Sequence, residues 1–247
     1  MKFSDKNIIV LNKVDSTNNY AKQLIADKAE EGTVVLAHCQ KNGKGQQGNF
    51  WESESNKNLT FSLILYPNWL GAGKQFYMSK VVSLALAEVL KTKVENVSIK
   101  WPNDIYVKNK KVAGILIENT IKGATIDSAI IGVGLNVNQE SFVSNAPNPI
   151  SLKQITGKNF ETEVILNEFL AVFYSIMNEL QIGCVQKIDN AYFSTLFKKN
   201  EWSKYRKDGK EFKAKIVGIG DFGQLRLEEE SGLISEFMFK EVEFVVS

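Results

Sequence analysis

The chain has 247 residues, of which 44% are hydrophobic and 23% charged, as in an ordinary soluble globular protein with one large domain or a medium domain plus a small one. Its 30 basic and 28 acidic side chains leave a formal charge of only +2, a balance that argues against a dedicated nucleic-acid binder. The polar N-terminus, Met-Lys-Phe-Ser-Asp-Lys-Asn, has no signal-peptide core, and no stretch approaches the roughly 20 apolar residues of a membrane span. The cytoplasm is therefore the expected address. Cys39 and Cys184 are far apart without metal-ligand spacing, which suits free buried thiols in a reducing compartment. His38 is the only histidine, so multi-histidine metal sites are excluded, and its strand-like setting suggests a structural role.

In chain order, residues 8–11 form a short apolar run that predicts a first strand. Asp15 or Ser16 is a natural N-cap for a helix over 17–28, with Tyr20, Ala21, Leu24 and Ile25 at helical spacing. The β-branched run 33–39 predicts a strand. Residues 40–58 are polar and glycine-rich, and 59–65 alternate as a half-buried strand. Residues 75–90 are apolar nearly all round, predicting a buried helix. Strands are expected over 97–101, 111–118 and 128–137, and helices over 162–180 and 185–196. The order suggests an α+β mixed sheet rather than regular α/β alternation.

From about Ser203 short apolar runs (212–217, 225–227, 233–239 and 242–246) alternate with turn signals such as Asp208-Gly209, predicting a small β barrel of about five strands. The expected division is a domain over 1–200 and a second over 203–247. From residue 201 onward there are 8 basic and 10 acidic side chains, so this part is slightly acidic and disfavours nucleic acid.

Gly43-Lys44-Gly45-Gln46-Gln47-Gly48 matches G-x-G-x-x-G literally, but no helical period follows, so it is not a dinucleotide fingerprint. It is not a Walker loop either, lacking a closing Gly-Lys-Ser/Thr. What remains is a long loop carrying Lys41 and Lys44, whose glycines allow close approach of backbone amides to an anion. Further on, Lys100-Trp101-Pro102-Asn103-Asp104 turns between strands. A polar turn at Asn109-Lys110 should pair Tyr106-Val107 with Val112-Ala113, leaving Lys111 near the mouth of an apolar sheet. A lysine there is costly to bury without an anion, and a snorkelling surface lysine is the bland reading.

Ser16-Thr17-Asn18, Gln40 with the 43–48 loop and Trp51, Lys100-Trp101-Pro102-Asn103-Asp104, Lys111-Val112-Ala113-Gly114-Ile115, and Gly132-Val133-Gly134-Leu135-Asn136-Val137-Asn138 form an ordered series. That series closely resembles the biotin–protein ligase family over nearly the whole chain. The resemblance implies a class II aminoacyl-tRNA synthetase-like α+β fold with a small C-terminal SH3-like barrel. It implies ATP-dependent activation of biotin to biotinyl-5'-AMP, then transfer to a lysine of a biotin carboxyl carrier protein. By the same resemblance Ser16, Thr17, Asn18, Gln40, Lys44, Gly45, Gln46, Lys111 and Gly114 would contact biotin. Lys44, Trp51, Asn103, Lys111 and Asn136 would contact ATP. Lys111 and Asp104 would be catalytic, with Asp104 also the candidate Mg²⁺ ligand and acceptor of the amine proton. Mg²⁺ would be carried largely by phosphate oxygens.

Two departures stand out. The family's loop is arginine-rich, whereas this one has Lys44, Gln46 and Asn49, weakening bidentate phosphate recognition. The Ser16-Thr17-Asn18 motif also begins so early that a preceding DNA-binding repressor domain is not expected. A monomer or a homodimer is compatible with the sequence. The rivals are a lipoate or octanoyl ligase, which shares the lysine hairpin, and a non-catalytic adaptor binding a partner through the barrel. The loop composition predicts easier leakage of the activated intermediate than in arginine-loop relatives. Gln46→Arg is expected to slow release of biotinyl-AMP; equal release from both proteins would remove the idea.

Overall fold

The computed structural model describes residues 7–45, 50–144 and 148–245. The chain runs β1 (Ile8–Leu11), α1 (Thr17–Ala26), β2 (Val34–Ala37), β3 (Leu59–Leu65), α2 (Phe76–Lys91), β4 (Val97–Lys100), β5 (Asp104–Val107), β6 (Lys110–Lys122) and β7 (Thr125–Leu135). Next come α3 (Leu152–Thr156), α4 (Thr162–Gln181), α5 (Val185–Thr195), and β8 (Ser203–Lys207), β9 (Lys210–Ile219), β10 (Leu225–Glu229), β11 (Ile234–Phe237) and β12 (Glu243–Phe244). The first seven strands form one sheet in the order β1-β2-β3-β7-β6-β5-β4, and the last five another in the order β11-β10-β9-β8-β12. Among the described strands of the large sheet, only the β1–β2 pairing is parallel. This is the expected α+β architecture.

The period-two alternation of β3 and β7 assigns their residues to two different faces. Phe61, Leu63, Ile131, Val133 and Leu135 point into the main core, where the apolar faces of α2 and α4 cover them. Val35, Ile64 and Ile130 point the other way and meet Ala21, Leu24 and Ile25 of α1. Thr60 and Ser62, taken from the sequence as the wet side of a half-buried strand, are in fact fully buried. The reason is α1: it lies over that face, and Thr60 and Ser62 satisfy their hydroxyls on Ala37, Thr17 and Asn18.

Three expectations needed adjustment. The β5–β6 turn is at Lys108-Asn109, because Tyr106 pairs with Lys111 and Val107 with Lys110. Lys108 takes a φ of 54°, the left-handed setting that a tight two-residue hairpin turn requires. β6 and β7 extend well beyond the apolar segments, to a turn at 123–124, since the polar outer residues still pair through their backbones. The short helix α3 was not anticipated; Ser151 and Gln154 form a reciprocal capping box at its start.

The two sheets are joined at a defined point. The Trp101 indole N–H donates to the Gly223 carbonyl at 2.8 Å, and its ring sits 6.0 Å from that of Phe239. From the other side, the buried Tyr192 hydroxyl of α5 donates to the Pro102 carbonyl at 2.5 Å. The 101–104 turn is thus fixed by α5 and by the small sheet together. Trp101→Phe keeps most of the packing but leaves the Gly223 carbonyl without its donor. A stability loss of about 1–3 kcal/mol is expected in urea unfolding; an unchanged midpoint would show that the bond is replaced by water.

Candidate functional site

The cleft begins with missing side chains. On the α1 face of β6 and β7, Gly114 pairs with Gly134, and Leu116 with Gly132. A Cβ on Gly134 would lie 2.3 Å from the Trp51 ring, and one on Gly132 would lie 2.2 Å from Asn18 Oδ1. The indole of Trp51 therefore lies directly on the sheet, and Asn18 reaches down to it. Above this floor is a cavity of about 1030 Å³, large enough for a small molecule together with a nucleotide.

At the β3–β7 end, the cleft is walled by a neutral polar cluster. The Thr17 amide and hydroxyl both donate to Gln40 Oε1, at 2.8 and 3.1 Å. The Ser62 hydroxyl lies 2.8 Å from Thr17 Oγ1 and 2.6 Å from Asn18 Oδ1, and its single proton serves the two acceptors. Asn18 in turn donates to Glu118 at 2.8 Å, and Lys22 pairs with the same carboxylate. Burial alone would raise the Glu118 carboxyl, but the bonds from Lys22 and Asn18 outweigh it and hold it below its ordinary value. Ser16 is the helix N-cap residue yet makes no side-chain capping bond, and it is buried at the cleft wall.

Toward β5 and β4 the lining becomes charged. Lys111 Nζ lies 2.7 Å from Asp104 Oδ2, with both side chains about three-quarters buried (23% and 29% exposed). Lys111 also stands 6.0 Å from the Trp51 ring centroid. Its backbone is pinned on both sides, the amide to Asn148 and the carbonyl to Ile150. Asn103 is buried and donates to the Ile115 carbonyl, while Asn136 donates to the Ile150 carbonyl. Asn136 Oδ1 and Trp51 Nε1 are buried in the cleft wall and have no hydrogen-bond partner among the described residues, two polar atoms that a ligand could satisfy.

Ser16, Thr17, Asn18, Gln40, Lys44, Gly45, Trp51, Asn103, Asp104, Lys111, Gly114 and Asn136 all line this one cleft. Gln46 and Asn49 lie outside the described residues. Lys44 is exposed and donates to Asn19 Oδ1, and a bridge between Lys44 and Phe50 closes the base of its loop.

Other residues had gone unnoticed. Phe244 of β12, and Phe239 and Val242 from the connection between β11 and β12, form part of the wall. Their apolar runs were read as barrel core, and no local signal turns them toward another unit. Lys100 lines the cleft beside them and was visible only as part of a motif. Glu52 is also new. Its carboxylate accepts from Gln139 Nε2 and from the amides of Val143 and Ser144, at 2.8–3.2 Å. It thereby ties the segment after Trp51 to the segment after β7.

Fold and cleft together define an α+β enzyme of the ligase type, with a second small β sheet beside its site. The chain belongs to the biotin/lipoate A/B protein ligase family, whose pattern matches residues 10–136, just over half of its length. It is 28% identical over 234 residues to the bifunctional ligase/repressor BirA of Bacillus spizizenii, covering 92% of this chain and 71% of that protein. It is 29% identical to the biotin–[acetyl-CoA-carboxylase] ligase of Paracoccus denitrificans over 230 residues, covering 90% and 95%. Among solved structures, the biotin protein ligase of Aquifex aeolicus in complex with biotin and ATP superposes with a TM-score of 0.82 at 28% identity, covering 98% of this chain and all of that one.

The Glu52 tie has a defined pH dependence. Burial would raise this carboxyl, but the bonds from Ser144, Val143 and Gln139 prevail and hold it below its ordinary value. A lowered carboxyl supports the tie above the ordinary carboxylate range and loses it as pH falls through the lowered value. In Glu52→Ala, amide exchange at Val143 and Ser144 is expected to quicken several-fold at pH 7. Equal exchange in variant and parent would dissolve the tie.

Proposed function

We propose that this protein is a biotin–protein ligase, which activates biotin with ATP to biotinyl-5'-AMP and passes the biotinyl group to a lysine of a biotin carboxyl carrier domain. The observation that carries the reading is one cleft holding a buried neutral polar cluster at one end and the Lys111 ammonium further along. The ureido ring of biotin offers two N–H donors and a carbonyl acceptor to such a cluster. A lipoyl dithiolane offers neither, and would leave Thr17 and Gln40 facing it without exchangeable bonds, a costly mismatch. The family alone admits both substrates; the relatives described above carry biotin in their names.

In the first half-reaction a biotin carboxylate oxygen attacks the α-phosphorus of ATP. The bond from that phosphorus to the bridging oxygen breaks, and its electron pair leaves with pyrophosphate. Two anions must meet, so a fixed cation placed between them lowers the barrier. Lys111 is that cation, and the Asp104 carboxylate orients it. Asn103 and Asn136 border the nucleotide side. In the second half-reaction the acceptor amine attacks the biotinyl carbonyl and AMP departs, and Asp104 takes the amine proton.

Among the described residues no group of three or more histidine, cysteine or acidic side chains could hold a metal ion. Asp104 supplies one carboxylate at the cleft, which fits a Mg²⁺ that takes most of its ligands from phosphate and water. Such an ion would offset phosphate charge. Among the described residues no helix is long and apolar enough to cross a membrane. Cys39 and Cys184 are free, consistent with a reducing cytoplasm.

Pyrophosphate exchange with biotin, with lipoate and with neither tests the assignment, biotin alone being expected to support it. Lys111→Ala is expected to lower biotin-dependent exchange by at least 100-fold while keeping the unfolding midpoint close to the parent. Near-normal exchange in that variant would remove Lys111 from its role.

A further inference from the structure

The order of strands in the large sheet is also an order of groups along the cleft. Ser62, which backs the polar cluster from beneath, is on β3, with Gly132 and Gly134 on β7, Gly114 and Lys111 on β6, Asp104 on β5 and Lys100 on β4. Lys100 and Asp104 are direct cross-strand partners. Asp104 lies between two lysines, and its carboxylate is bonded to the Lys111 side. Lys100 makes no ion pair among the described residues; its ammonium donates to the Tyr106 hydroxyl at 3.2 Å. The aromatic faces of Tyr106 and Phe244 lie 5.1 and 5.4 Å away. A half-buried ammonium with two further N–H donors therefore faces the cleft, bounded by the wall from the small sheet.

Such an arrangement is unfavourable unless an anion completes it, because aromatic faces replace only part of the lost hydration. Burial lowers the Lys100 pKa, an effect that Asp104 opposes and Lys111 and Lys198 reinforce. A bound polyanion would reverse that shift. Position identifies which anion. Two strand spacings separate β4 from β6, about 10 Å at ~4.8 Å per strand. That is the direction away from the polar cluster at β3 and past Lys111. If Lys111 meets the α-phosphate, the β- and γ-phosphates continue along this line.

Resting on the ligase reading above, we propose that Lys100 binds the β- and γ-phosphates of ATP and stabilises pyrophosphate as it leaves. It remains protonated throughout, donating N–H bonds to oxygens that gain charge when the bridging bond breaks. The biotinyl carboxylate and α-phosphate stay with Lys111. Lys100 therefore acts in activation and its reversal, and has no part in amine attack once pyrophosphate has gone.

The test uses the full chain with Lys100→Met and Lys100→Arg. Lys100→Met is expected to raise the KM for pyrophosphate in biotin-dependent exchange by roughly tenfold or more, the usual effect of losing a charge-assisted bond. Titration with pyrophosphate alone should show the same weakening, and Lys100→Arg should recover most of it. Transfer from chemically prepared biotinyl-5'-AMP to a biotin carboxyl carrier domain should stay within about twofold of the parent. Unchanged pyrophosphate affinity in a folded Lys100→Met would overturn the proposal. So would normal exchange with slowed transfer, which would make Lys100 a group of the second half-reaction. Equal loss in both half-reactions would mark a merely structural lysine. If the parent protein itself shows no biotin-dependent exchange, the ligase reading fails and this proposal falls with it.

Discussion

The site depends on a face of the sheet from which side chains have been removed. Alternation gives every strand residue a side, and on β7 the core-facing positions carry Ile131, Val133 and Leu135. Their neighbours on the opposite side, Gly132 and Gly134, carry nothing, and each approaches another group too closely for a Cβ. Glycine in a strand weakens it by roughly 0.5–1 kcal/mol relative to alanine. The strand tolerates this because its pairing with both β3 and β6 continues through the glycines and its other face is closely packed. The indole of Trp51 takes up part of the vacant space. The rest is the cleft.

Around that floor, carboxylates are given local partners while the ammonium groups face inward. Glu52 accepts two backbone amides and Gln139, Asp104 accepts Lys111, and Glu243 stands 3.9 Å from Arg206. Lys44, Lys100 and Lys111 line the same cavity. These three ammonium groups match the three carboxylates in number; what differs is that Lys100 has no carboxylate partner among the described residues. Charge at the site is a matter of which groups are already satisfied, and it bears little relation to composition. In a cleft partly shielded from water each cation also acts more strongly on a bound anion than the same cation would at the surface.

Strong periodicity made most of the fold legible. The apolar period of α2 and α4 and the alternation of β3 gave their positions closely, because burial of a whole face selects the residues at those spacings. The 16–18, 100–104 and 111–114 segments were legible as parts of a site through the ordered motif series they share with the family they resemble; residue type alone left Lys111 a snorkelling surface lysine, while Trp101, Val112 and Ala113 belong to the core. Less was visible where polarity had two meanings. Thr60 and Ser62 look like the wet side of a strand, but Thr60 bonds the Ala37 carbonyl of β2 and α1 brings Thr17 and Asn18 onto Ser62. Ser151 and Gln154 carried a capping signal that passed unread. Phe244 could not have been found at all: its contact with Lys100 arises only when two sheets meet, and neither residue's neighbours in the chain encode that meeting.

The small sheet is therefore more than an appendage to a finished site. Without it the β4–β5 end of the cleft would be an open edge, and Lys100 would be a hydrated surface lysine of little electrostatic consequence. Phe239 and Phe244 cover that end, and the Trp101–Gly223 bond fixes the cover to the turn that bears Asn103 and Asp104. The same turn is held from behind by Tyr192, so its side chains cannot retreat when an anion approaches. Groups fixed before the substrate arrives need no reorganisation when charge develops, which is the condition under which electrostatic stabilisation is most effective. The chain thus joins a glycine floor, which makes room, to a second sheet, which covers the Lys100 end of that room.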